Sequence, residues 1–92
     1  MTFYVVCYDI TDDKRRDKVF KALLDFGVHR QFSVFECKLE DKDYLRMKSR
    51  LAELIDSDVD QVMLVPLCAA CFNGIETLGT PRTVDDEEAQ VF

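Results

Sequence analysis

The sequence predicts an α+β fold: a sandwich with two helices laid on one face of an antiparallel sheet. Three observations point there. Apolar, strand-like stretches at 3–9, 28–39 and 61–68 alternate with two segments of helical periodicity, giving the order β-α-β(β)-α-β. Ninety-two residues suffice for one domain with one core. An apolar share of 48% with 33% charged residues is ordinary for a globular chain.

The first strand runs Phe3 to Asp9. Alternation sets Phe3, Val5, Cys7 and Asp9 on one face and Tyr4, Val6 and Tyr8 on the other. Both faces are largely apolar, as in a central strand covered on two sides. Thr11 or Asp12 is placed to cap the helix that follows. Val19, Phe20, Leu23 and Leu24 mark its buried stripe, Gly27 supplies its stop, and Lys14, Lys18 and Lys21 share the outward face. Arg16 precedes Phe20 by one turn, on the inward side, beside the loop leaving Asp9.

Residues 28–39 (VHRQFSVFECKL) are rich in β-formers and contain no Gly, Pro, Asn or Asp, so pattern allows one strand or two with an unsignalled reversal. A second helix is expected over 42–55, with Leu45, Met47, Leu51, Leu54 and Ile55 inward. In QVMLVPLC, residues 61–68, Pro66 marks a sheet-edge strand because proline cannot donate to a ladder. Asn73-Gly74 signals a turn, with a short returning strand expected at Ile75 to Leu78. This arrangement is similar to a ferredoxin-like βαββαβ unit. Residues 1–79 form that domain, and 80–92 read as an acidic tail. Two helices cover one sheet face only, so the other, carrying Tyr4, Val6 and Tyr8 or their opposite-facing neighbours, stays apolar and bare, which predicts association with a second copy.

No apolar run approaches the roughly 20 residues of a membrane span, and the start lacks a signal-peptide pattern, so a cytoplasmic protein with no membrane partner is expected. The four cysteines read as reduced thiols. Cys7 and Cys37 sit in strands, and Cys68 and Cys71 form a C-A-A-C pair, half of a zinc site or a redox motif out of its usual context.

The net charge is −6, yet its distribution is uneven. Residues 14–30 carry six Lys/Arg against Asp17 and Asp25, while acids gather at 40–43, 56–60 and 85–88. A basic patch on an acidic body binds phosphate in a salt-sensitive way; the alternative is a solvated helix face.

YDITDDKRR before a helix, Gly27, QFSVFEC at 31–37 and a strand leading into PLCAAC together resemble the CRISPR-associated protein 2 family, over residues 3–79. The resemblance implies a homodimeric ferredoxin-like fold, strands near 28–32 and 33–39, and an extra C-terminal strand from the tail added to the partner's sheet. It implies a magnesium- or manganese-dependent endonuclease acting on RNA or DNA, with Asp9 as the metal residue. Tyr8, Arg16, Gln31, Ser33 and Phe35 match further family positions. His29 stands where a basic residue is frequent, with Arg30 beside it. The family also bridges CRISPR integrase dimers during spacer acquisition.

The residues make such chemistry reasonable. Magnesium is held by oxygen ligands and keeps several waters, so Asp9 from each of two chains could share one ion near a two-fold axis. The alternative for Asp9 is an Asx cap on the turn. Asp12 and Asp13 are read as helix-start acids. Arg16 either steadies phosphate or pairs with Asp9 or Asp12. Tyr8 reads as interface packing rather than a base stack, Phe35 as core, and Ser33 as a hydrogen-bonding hydroxyl rather than a triad nucleophile. Lys14, Arg15, Arg16, Lys18, His29 and Arg30 are the candidate nucleic-acid contacts, with a hydrogen-bonded His29 the competing role. Competing functions are a catalytically silent scaffold of spacer integration and a small-molecule-sensing ferredoxin-like module.

Overall fold

A computed structural model describes residues 1–79. Their order is β1 (Thr2–Asp9), α1 (Asp13–Leu24), β2 (Gly27–Gln31), β3 (Val34–Leu39), α2 (Asp41–Leu54), β4 (Gln61–Leu67) and α3 (Ala69–Asn73). The four strands form one antiparallel sheet in the order β2-β3-β1-β4. The reading of 28–39 is thus settled as two strands, reversing at Phe32-Ser33, and Pro66 does lie on an edge strand. The expected tail strand, at 80–92, lies outside the described residues.

The helices cover the Tyr4, Val6 and Tyr8 side of β1, so the bare face carries their opposite-facing neighbours Val5 and Cys7. Tyr4, Val6 and Tyr8 are buried beneath the helices with Phe35, Cys37 and Leu39 of β3. From α1, Val19, Phe20, Ala22 and Leu23 complete this core, and from α2, Met47 and Leu51. Two expected core residues are exposed instead: Leu24 at 36% and Leu45 at 62%. Leu24 ends its helix. Leu45 lies about 200° around the helix from Met47, so Tyr44 takes the inward position and stacks on Tyr4 at 4.4 Å.

Gly27 does not stop α1 as expected. Asp25 is the C-cap, in a right-handed conformation, and Gly27 opens β2. It is glycine because β3 passes so close: a Cβ there would stand 2.4 Å from the Glu36 carbonyl oxygen and 2.5 Å from Cys37 Sγ.

The far end also departs from expectation. Residues 75–78 form no strand, and residues 69–73 form the short helix α3, closed by Gly74. Phe72 of α3 stacks on Phe3 with ring centroids 3.9 Å apart, so one corner of the second sheet face is covered after all. Along the rest of that face the register sets Val5 beside Glu36 and Val65, and Cys7 beside Val34 and Met63. Met63 is 51% exposed. No helix among the described residues is long and apolar enough to cross a membrane.

Candidate functional site

The expected site residues cluster where β1 ends, but on two sides of the sheet. Asp9 is the last residue of β1, registered against Gln61, and exposed. Strand alternation turns it opposite to buried Tyr8, onto the face the two long helices leave uncovered. On the helix side, Tyr8, Arg16, Ser33 and Phe32 line a recess of about 200 Å³. Asp9 is not part of that lining.

Arg16 reaches the recess because Asp12 fixes where α1 begins. The Asp12 carboxylate accepts from the Arg15 amide at 2.9 Å, the cap that either Thr11 or Asp12 was placed to make. Arg16 then donates through Nη1 to the Ile10 carbonyl at 3.0 Å and through Nη2 to Asp13. Its acidic partner is Asp13, not Asp9 or Asp12. The guanidinium braces the loop between Asp9 and α1 while one side faces the recess.

Tyr8 is buried in the core rather than at an interface, its ring 6.3 Å from that of Phe35. Burial pushes its phenol up to about 12, against a smaller opposing pull from Arg16. The hydroxyl is therefore neutral at physiological pH and is no base there. The Tyr8 amide donates to the Ser33 carbonyl at 3.1 Å, which fixes the β2–β3 turn against β1. Phe35 is fully buried between Tyr8, Phe20 and His29, a core residue.

The cation set divides. Lys14 and Lys18 are exposed on the outer face of α1. Arg15 is committed elsewhere: Nε donates to Asp60 Oδ2 at 2.8 Å and Nη2 to Oδ1 at 3.3 Å. Arg30 Nε lies 3.1 Å from Glu36 Oε1, close enough for an ion pair though not aligned as a hydrogen bond. His29, expected among surface phosphate contacts, is only 1% exposed. It packs edge-on to Phe20, and its Nε2 lies 2.8 Å from the Phe32 carbonyl. A carbonyl only accepts, so Nε2 carries the proton and donates. The hydrogen-bonded role is the one His29 fills, and it cannot reach a phosphate from there.

Two features escaped the sequence. Asp60, one of the acids gathered at 56–60, has a buried side chain that grips both Arg15 and the Asp56 amide. Phe32 sits at φ +37°, a left-handed backbone rare for a bulky residue, with its ring 66% exposed beside Arg16 and Ser33. The absence of any turn residue at 28–39 hid that reversal. No Pro, Gly or Asn marks the turn; His29 holds it instead.

Asp9 suits a hard cation in kind, being an exposed carboxylate. Among the described residues, no three His, Cys, Asp or Glu side chains converge as a metal group. The fit therefore needs a second copy of Asp9, or phosphate and water, to complete the ligand set.

A family model for CRISPR associated protein Cas2 matches residues 1–75. The chain belongs to the Cas2 family. This Cas2 chain is 46% identical over 71 residues to a CRISPR-associated endoribonuclease, "Cas2 4", of Rhodospirillum rubrum, a match covering 77% of this chain and 57% of that longer relative. It is 40% identical over 88 residues to the CRISPR-associated endoribonuclease "Cas2 1" of Chloroflexus aurantiacus, covering 91% and 95% of the two chains. The crystal structure of Streptococcus pyogenes Cas2 superposes with a TM-score of 0.76 at 32% identity, over 84% of this chain and 99% of that one. The Cas2 fold described above is therefore shared with a solved relative.

Proposed function

We propose that the chain is a homodimeric, metal-dependent endonuclease of CRISPR adaptation that hydrolyses phosphodiester bonds in RNA or DNA. One observation carries this reading: Asp9 is an exposed carboxylate at the end of a central strand, on the sheet face the two long helices leave bare. Two chains meeting through that apolar face bring their Asp9 side chains to a common axis. The names of the relatives, endoribonucleases in Rhodospirillum and Chloroflexus, support the chemistry.

Asp9 from each chain would hold the ion, Mg2+ or Mn2+. When bound, that ion supplies Lewis acidity toward a phosphoryl oxygen and toward water. The chain's own residues do the rest. Arg16 fixes the loop that sets Asp9 and lends positive charge to the recess on the helix side. Lys14 and Lys18 offer sequence-independent attraction to a phosphate backbone. Ser33 contributes a hydroxyl for hydrogen bonding to water or substrate.

Cleavage of matched RNA and DNA oligonucleotides tests the reading, with magnesium, with manganese and with chelator. Asp9→Asn is expected to lose at least a hundredfold in rate while remaining dimeric on sizing. Full activity in that variant would remove Asp9 from the chemistry.

A second reading uses the same uncovered face: a catalytically silent dimer that bridges integrase dimers during spacer acquisition. Spacer acquisition that survives Asp9→Ala and fails when residues 80–92 are deleted would favour the scaffold over the nuclease.

A further inference from the structure

The C-A-A-C pair plays no part in the site above, and its geometry is specific. Cys68 is the residue before α3 and Cys71 lies within its first turn. The Phe72 amide donates to the Cys68 carbonyl at 2.9 Å, closing one α-turn, and the Cys71 amide donates to Cys68 Sγ at 3.4 Å. In such a turn, residues three apart have Cα atoms about 5 Å from one another. That separation falls inside the roughly 4.4–6.8 Å a disulfide spans. Both side chains are exposed.

The other two thiols are poor alternatives. Cys37 is buried on the helix side of the sheet, where burial raises its thiol to about 11. Cys7 lies on the opposite face. It is also four residues along β1 from Phe3, the position registered with Leu67, which puts it about 13 Å from the start of α3. Of the three ways to pair four cysteines, two are thus ruled out by distance or by the sheet between them.

We propose that Cys68 and Cys71 are a reversible dithiol–disulfide couple, oxidised by a hydroperoxide and reopened by a small-molecule thiol. The Cys68 thiolate attacks the peroxide oxygen, the O–O bond breaks, and an alcohol leaves, or water where the oxidant is hydrogen peroxide. The sulfenic acid on Cys68 is then displaced by Cys71 sulfur, which forms the S–S bond and releases water. Two thiols lose two electrons and two protons, and the peroxide gains them. Cys68 is suited to attack first: hydrogen bonds from the Cys71 backbone and side chain hold its thiol below the ordinary range, while the same contact raises Cys71. Closing the pair locks the turn that carries Phe72 onto Phe3, so oxidation reaches the covered corner of the sheet.

The test is equilibration of the whole protein in graded glutathione buffers, and with hydrogen peroxide, followed by alkylation and peptide mass analysis. The expected result is loss of both alkyl groups from the peptide holding Cys68 and Cys71 in one step, with Cys7 and Cys37 unchanged. In Cys71→Ser, Cys68 should accumulate as a mixed disulfide with glutathione. Circular dichroism checks that both forms stay folded. Alkylation of both thiols through the most oxidising buffer would overturn the proposal. So would a disulfide joining two chains, or stoichiometric bound zinc that keeps the thiols from oxidising.

Discussion

Asp60 holds Arg15 from 45 residues away, its two oxygens receiving Nε at 2.8 Å and Nη2 at 3.3 Å. The same carboxylate accepts the Asp56 amide at 2.8 Å, so it ties the first turn of α1 to the loop before β4. Arg15 and the backbone amide hold the Asp60 carboxyl below the usual carboxylate range.

That relationship sets an acid dependence. A carboxyl with a depressed native pKa stabilises the fold fully above its unfolded value, near about 4. The contribution fades as pH falls from there through the lower native value. Arg15→Ala should lower the Tm at pH 7 by about 5 °C. The gap to the natural protein should narrow below pH ~4. Thermal unfolding from pH 2.5 to 7 measures it. A gap that does not change with pH would mean the pair acts by packing alone.

Gly27→Ala should destabilise the chain by about 1–3 kcal/mol, because the new methyl meets the Glu36 carbonyl across the β2–β3 ladder. Urea unfolding gives the value. A neutral result would show that β2 can move outward freely, and would weaken its role in holding the recess at Phe32 and Ser33.

Tyr8 bears on the alkaline side. Its phenol, raised to about 12 by burial, stays neutral in the folded chain where an unfolded one ionises near about 10. Stability from this group is complete below pH ~10 and declines as pH rises toward 12. Tyr8→Phe should flatten the loss of stability between those values, as followed by denaturant midpoint. It should remove no limb from the pH–rate profile near neutral pH, since a phenol that stays protonated there does not act as a base.

How legible was this in the sequence? The two-layer sandwich was, and so was the edge position of Pro66, but not which side of β1 the helices cover, because both its faces are apolar and only tertiary packing buries Tyr4, Val6 and Tyr8. Asp9 was legible as well, as a carboxylate ending an apolar strand. The β2–β3 turn was not, since its left-handed residue is a phenylalanine held by a buried histidine rather than a glycine that announces itself. Nor was the partner of Arg15: spacing put it among the phosphate contacts, but Asp60 claims it from 45 residues away, a tertiary contact that periodicity does not encode, whereas Arg16 pairs with Asp13 at the i,i+3 spacing a helix allows. Helix α3 was hidden by Asn73-Gly74, which reads as a hairpin turn and serves as a helix end.

The central claim is that two Asp9 carboxylates share one cation. Counting Mn2+ bound to the purified dimer, by electron paramagnetic resonance with a nucleic acid present, tests it most directly. The account predicts one ion per two chains, lost in Asp9→Asn with the dimer intact. One ion per chain, or an ion that survives that substitution, would contradict it.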